Sequence, residues 1–217
     1  MALDIHQIDR HFDVLKDAGV PRPYRLWSLK DHTNFDPRQT VLRDAENQPA
    51  QDVCDGFDED SWIVLAGSVG TGKPTFATAA FNDMVANRVK RSNNFPKRAA
   101  PVWITEARFM RMASVAGAAG YHGRAAYVGR LALAPVLVLD DLAGGRTELT
   151  KWGAGAVRDI IDERYANSRP TIFTTNLDAW ELLERRYGDH IVSRMIQRAK
   201  WMTLLQGHDR RRLKAIS

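Results

Sequence analysis

Gly67-Ser68-Val69-Gly70-Thr71-Gly72-Lys73 stands directly after the apolar run Trp62-Ile63-Val64-Leu65-Ala66, and residues of these types in this order suit one kind of chemistry. An apolar strand that enters a glycine-rich turn and then a helix lets several backbone N–H groups converge on one anion. A lysine and a helix N-terminus add positive charge at the same place. Gly67, Ser68, Val69, Gly70, Thr71, Gly72 and Lys73 are therefore expected to cradle the phosphates of a nucleoside triphosphate, ATP or GTP, as a P-loop. The next position breaks the motif. A Ser or Thr there would ligate Mg²⁺ through its hydroxyl, but Pro74 has none, and Thr75 follows about 100° further round the helix. Proline fits the first turn of a helix, so the loop can still form. Either Thr75 replaces the missing hydroxyl or water completes the Mg²⁺ shell. Binding is then expected to survive better than hydrolysis.

A second run, Val136-Leu137-Val138-Leu139-Asp140-Asp141-Leu142, reads as a buried strand ending in two carboxylates, the Walker B pattern. Asp140 is placed to hold Mg²⁺ through its water shell, and Asp141 to polarise an attacking water. Pro170-Thr171-Ile172-Phe173-Thr174-Thr175-Asn176 ends in an amide. In a parallel sheet that end faces the same crevice, so Asn176 is expected to position the water or touch the γ-phosphate, the alternative being a cap for the helix starting near Asp178.

These groups need a scaffold. Strands are expected near 62–66, 101–104, 136–140, 171–174 and 201–205, with helices near 72–90, 106–117, 150–167, 179–187 and 189–198. Alternation of this kind predicts an α/β fold whose parallel sheet is covered on both faces. Ahead of it, Ile5, Ile8, Phe12 and Leu15 form one stripe of an amphipathic helix over residues 3–17, which Gly19, Pro21 and Pro23 terminate; its stripe suits either packing on the core or docking on another protein. Residues 44–60 hold five Asp and two Glu with Pro49 and Gly56, and are expected to be a solvated loop.

The chain has 217 residues, 44% of them hydrophobic, enough for one substantial core. Its longest apolar stretch, Leu131 to Leu139, is far short of a membrane span, and the N-terminus turns polar at once, so no signal peptide or membrane anchoring is expected. Cys54 is alone and no Cys/His cluster has zinc spacing, which fits a reducing cytoplasm. Net charge is +5 but uneven: residues 1–60 carry seven Lys/Arg against thirteen Asp/Glu, and residues 181–217 nine against four. An acidic front and a basic body suit different partners, or simply two solvated faces.

Taken together, Gly67–Lys73, Leu139-Asp140-Asp141-Leu142, Ile161-Asp162-Glu163-Arg164-Tyr165, Pro170–Leu177 and Ser193-Arg194-Met195 resemble the AAA+ ATPases of the DnaC-type helicase loaders and the IstB-type transposition helpers. Ala18-Gly19-Val20-Pro21-Arg22-Pro23-Tyr24-Arg25 is similar to the family's lead-in segment beside the adenine pocket. The resemblance spans roughly residues 18–212. It implies a three-layer P-loop NTPase sandwich whose five strands, counted along the chain, lie in the order 5-1-4-3-2. It implies ATP or ADP with Mg²⁺ as ligands, and a homo-oligomeric ring or spiral. It also implies single-stranded DNA and a replicative DnaB-type helicase as partners in a bacterial or phage system. Arg194 matches the arginine that reaches a neighbouring subunit's γ-phosphate. Arg211, or Arg210 in the alternative register, matches the second sensor. Residues 20–217 would form the ATPase domain and residues 1–19 a helicase-docking arm.

In such rings the loops after the second and third strands approach the channel. Here those segments hold Arg108 and Arg111, then Ala119-Gly120-Tyr121-His122-Gly123-Arg124, then Gly144-Gly145-Arg146-Thr147 with Lys151. Arg108, Arg124, Arg146 and Lys151 for phosphates and Tyr121 for a base suit single-stranded DNA, the alternative being glycine loops with ordinary surface charge. Two other functions stay open: a transposition helper that hands DNA to a transposase, and an ATP-bound switch that scarcely hydrolyses, for which Pro74 speaks.

Overall fold

A computed structural model describes residues 13–21, 40–44, 62–91, 100–118, 120–144, 151–177 and 180–206. Its elements run β1 (Thr40–Asp44), β2 (Trp62–Ala66), α1 (Lys73–Arg91), β3 (Val102–Thr105), α2 (Glu106–Ala118), α3 (Gly120–Leu133), β4 (Leu137–Leu142), α4 (Lys151–Ala166), β5 (Thr171–Thr175), α5 (Trp180–Tyr187), α6 (Asp189–Arg198) and β6 (Ala199–Gln206). Every residue of β2 is buried, because the strand lies mid-sheet with helices on both faces. Trp62, Val64 and Ala66 join a cluster with Phe109 of α2, Leu131 of α3, Ile160 of α4 and Val192 of α6. Ile63 and Leu65 join the opposite cluster with Phe76, Phe81 and Val85 of α1. Successive side chains of a strand point to opposite faces, so five residues serve two cores.

The sheet order is β1-β6-β2-β5-β4-β3. The last five are parallel and, counted as the five expected strands, stand in the order 5-1-4-3-2. Parallel neighbours need crossover connections, and the helices supply them. β1 pairs antiparallel with β6 at the edge and was not foreseen. An edge strand is bonded on one side only, and Thr-Val-Leu-Arg-Asp carries neither a long apolar run nor strict alternation.

One expectation needs correction. Within the segment Ala119–Arg124, the part from Gly120 to Arg124 is not a loop: Gly120–Leu133 is helical, with Leu131 and Ala132 buried. Gly120 and Gly123 suggested a break, but a helical glycine costs only about 1 kcal/mol relative to alanine, which packing against α2 and α4 offsets. The helix expected at 3–17 is described only from residue 13, and its last turn belongs to the core. Leu15 is fully buried, Ala18 and Val20 nearly so, and the Trp103 N–H donates to the Ala18 carbonyl at 2.8 Å. A docking arm would have to lie before residue 13, outside the described residues, as does most of the acidic 44–60 segment.

Arg164 joins the helical layer to the sheet. Its side chain is wholly buried and donates to the carbonyls of Leu131 (3.0 Å), Ala132 (3.3 Å) and Ala134 (2.7 Å), to the Pro170 carbonyl, and to Thr171 Oγ1 (2.8 Å). It thereby supplies donors to carbonyls at the end of α3, where helical hydrogen bonding runs out; Arg169 adds a second donor to Ala132 at 3.0 Å.

Candidate functional site

The carboxyl ends of the parallel strands meet along one edge, where Ala66 pairs with Thr175 and Thr105 with Asp140. Ala66 opens into the glycine turn. Gly67, Gly70 and Gly72 have φ of 141°, 90° and 94°. Side-chain-bearing residues rarely hold such values, and they turn successive backbone N–H groups toward one side. Thr71 Oγ1 donates to the Ser68 carbonyl at 3.0 Å and braces the loop. Lys73, only 5% exposed, folds its Nζ onto the carbonyls of Gly67 (2.6 Å) and Ser68 (2.7 Å). The ammonium therefore sits at the loop rather than in solvent. Pro74 and Thr75 lie in the first turn of α1 and are half-buried. The Thr78 hydroxyl donates to the Pro74 carbonyl at 2.7 Å, and α1 runs unbroken from Lys73 to Arg91 with the proline in its first turn.

Asp140 and Asp141 end β4 beside this loop. Burial raises the Asp140 carboxyl above its usual range, Thr174 and Lys73 pull against that rise, and Asp141 adds to it. Thr174 organises the pair: its hydroxyl donates to Asp140 Oδ1 at 2.6 Å and accepts the Asp141 N–H at 2.8 Å. Sequence reasoning passed Thr174 over, although a hydroxyl one strand away from two carboxylates was visible in Phe173-Thr174-Thr175-Asn176. Asp141 is exposed, and Asn176 Nδ2 donates to its Oδ1 at 3.0 Å. The two polar residues expected at this edge thus meet each other.

The residues fit a polyphosphate: glycine-shaped N–H donors, a buried ammonium and a helix start converge. They fit Mg²⁺ more sparingly. Among the described residues no three acidic, His or Cys groups cluster as a metal site, so Asp140, water and the nucleotide's own oxygens would have to hold it.

The raised Asp140 pKa has a measurable consequence. A carboxyl whose folded pKa lies above the unfolded value costs nothing below about pH 4, where it is neutral in both states, and destabilises increasingly as pH rises through the folded pKa. Asp140→Asn should therefore raise the melting temperature of the nucleotide-free protein at pH 7. The gap should close toward pH 4. A gap that widens on acidification would show that Asp140 is stabilised as the anion.

Arg194 lies on α6, away from the loop. Its Nη1 is 3.0 Å from Asp162 Oδ1, and its guanidinium stacks over the Tyr165 ring at 5.1 Å. His190 Nε2 shares Asp162 at 3.2 Å. Arg198 stacks on the same ring at 5.9 Å and donates to the Tyr165 carbonyl and Ser168 Oγ. Neither arginine is a plain solvated surface charge. Arg210 and Arg211 lie outside the described residues.

Of the DNA candidates, Arg108 is exposed on α2, and Tyr121 (80% exposed) and Arg124 lie one turn apart on α3. Arg124 stacks over Trp152 of α4 at 5.2 Å. These three therefore stand on helices, not loops. Lys151 opens α4, and Arg146 is outside the described residues.

The sheet order, the glycine loop after β2 and the carboxylates near the end of β4 define a P-loop type of α/β fold. Among solved structures, the chain is similar to a DnaC helicase loader (TM-score 0.55, 23% identity, covering 70% of this chain and 83% of that one) and to DnaI (0.62, 18%, 86% and 95%). It is also similar to the replication initiator DnaA bound to AMPPCP and single-stranded DNA (0.61, 16%, 91% of this chain), of which it spans 56%. No protein-family model matches the sequence, and no curated protein does either.

Proposed function

We propose that this protein is an ATP-dependent helicase loader that binds single-stranded DNA and delivers a DnaB-type replicative helicase in the cytoplasm of a bacterium or its phage. One observation carries the proposal: a phosphate cradle and a Walker B carboxylate pair sit in a fold similar to DnaI over 95% of that chain. In this account Lys73 and the loop N–H groups bind the β- and γ-phosphates, Asp140 supports Mg²⁺ through water, and Asp141 with Asn176 orients the attacking water. Arg211 or Arg210 would contact ATP in cis and Arg194 the neighbour's γ-phosphate, within a homo-oligomeric ring or spiral. Arg108, Tyr121, Arg124, Arg146 and Lys151 would meet single-stranded DNA. The docking arm is assigned to residues 1–19. Pro74 favours a second function, an ATP-bound switch with little turnover.

The test is retention of the host's hexameric helicase on immobilised single-stranded DNA, with and without ATP. ATP is expected to increase retention. Lys73→Ala should abolish that increase and weaken ATP binding about a hundredfold, since one or two charge-assisted hydrogen bonds contribute roughly 1.5–3 kcal/mol each. Undiminished ATP affinity in the variant would remove the P-loop assignment. ATP-dependent capture of a transposase in place of the helicase would favour the transposition helper.

A further inference from the structure

Glu106 opens α2 immediately after β3, and its carboxylate is buried. Arg186 at the end of α5 grips it: Nη2 lies 3.1 Å from each carboxylate oxygen and Nε 3.3 Å from Oε1. The neighbouring Tyr187 hydroxyl donates to Oε1 at 2.6 Å. Burial first, and then the Glu106 charge, hold that phenol far above its ordinary range, so it stays a donor. Glu106 Oε2 accepts the Ala143 N–H at 3.1 Å, and the Tyr187 oxygen accepts the same N–H at 3.1 Å.

Ala143 stands two residues beyond Asp141, and both have φ of 59°. Left-handed backbone costs free energy at residues other than glycine and persists only where surrounding groups hold it. The β4–β5 register also shifts between Leu139 and Leu142. The Asp141 carboxylate lies so close over Gly144 that a Cβ there would overlap it. A buried ion pair is a poor way to gain stability, since apolar residues of similar volume often serve better. This one is aimed at the backbone of the turn that displays Asp141.

We propose that Glu106, with Arg186 and Tyr187, is a positioning clamp: it holds the Asp141–Ala143 turn in its left-handed form and so aims the Asp141 carboxylate. Because Tyr187 ends α5 and Asp189 begins α6, the clamp also ties this turn to the helix that carries Arg194. Its catalytic consequence rests on the ATPase function proposed above; the conformation of the turn does not.

The experiment compares full-length wild type, Glu106→Gln and Tyr187→Phe by hydrogen–deuterium exchange without nucleotide and by steady-state ATP turnover. In Glu106→Gln, amides 141–144 should exchange at least about tenfold faster while peptides from β2 and α1 are unchanged. Its kcat should fall about 10–100-fold with KM for ATP within about twofold, a split that general loss of structure would not produce. Tyr187→Phe should move both readouts the same way by less. The double variant should fall short of the product of the single effects, because the two groups share one N–H. Unchanged exchange at 141–144 in both variants, or a loss carried by KM alone, overturns the clamp. If Glu106→Gln loosens every peptide, Tyr187→Phe, which keeps the ion pair, decides: faster exchange confined to the turn supports the clamp, and unchanged exchange overturns it. A wild type that binds ATP without turnover would end the ATPase reading and leave the exchange result to decide the clamp by itself.

Discussion

Arg194→Ala is expected to lower ATP turnover by about three orders of magnitude while ATP affinity stays within about twofold. An arginine that meets a neighbour's γ-phosphate stabilises charge that develops only in the transition state, so its loss falls on kcat and not on binding. The local geometry supplies the contrasting expectation. Arg194 pairs with Asp162 with the two side chains 28% and 34% exposed, and stacks on Tyr165. A half-exposed pair of this kind contributes only about 0–1 kcal/mol, so a purely structural Arg194 would shift the melting temperature slightly and leave turnover alone. Mixing Arg194→Ala with Lys73→Ala protein separates the cases further. A junction joining an intact P-loop to an intact arginine can form only in the mixture, so turnover should partly recover. Turnover equal to wild type in Arg194→Ala alone, or strictly monomeric protein in mass photometry with ATP and DNA present, would overturn the shared site.

Arg164→Met should be the most destabilising single substitution among those considered, at about 3–5 kcal/mol. Methionine replaces the aliphatic stem, so packing volume is nearly kept. The buried carbonyls of Leu131, Ala132, Ala134 and Pro170 would lose the Arg164 donors together; of these, Ala132 would keep Arg169, and Leu131 and Pro170 each a long backbone N–H bond. At this chain length the loss corresponds to a fall in melting temperature of roughly 6–20 °C, measurable by circular dichroism. Arg164→Lys should recover only part of it, because one ammonium cannot span carbonyls on both α3 and the lead into β5. A change below about 1 kcal/mol would show that water or backbone movement replaces these bonds.

Residue order alone determined the glycine turn with its lysine, the carboxylate pair and the five parallel strands. Each is encoded locally: a buried parallel strand must be an uninterrupted apolar run, and a phosphate turn must place glycines where φ is positive, as at Gly70 and Gly72. The order 5-1-4-3-2 came from resemblance, since no local pattern specifies which strands become neighbours. Tertiary structure alone decided the rest. The glycines of α3 suggested a loop until Leu131 and Ala132 found a core to enter, and β1 has form only because β6 offers its edge. Glu106, Arg186 and Ala143 are far apart in the chain, as are Arg164 and Leu131. Their meaning lies in hydrogen bonds between distant segments, and a buried charge or a left-handed alanine is tolerable only when those partners arrive. The chemistry of the cradle is therefore written along the chain, while the aim of its carboxylates is set by contacts that exist only once the chain has folded.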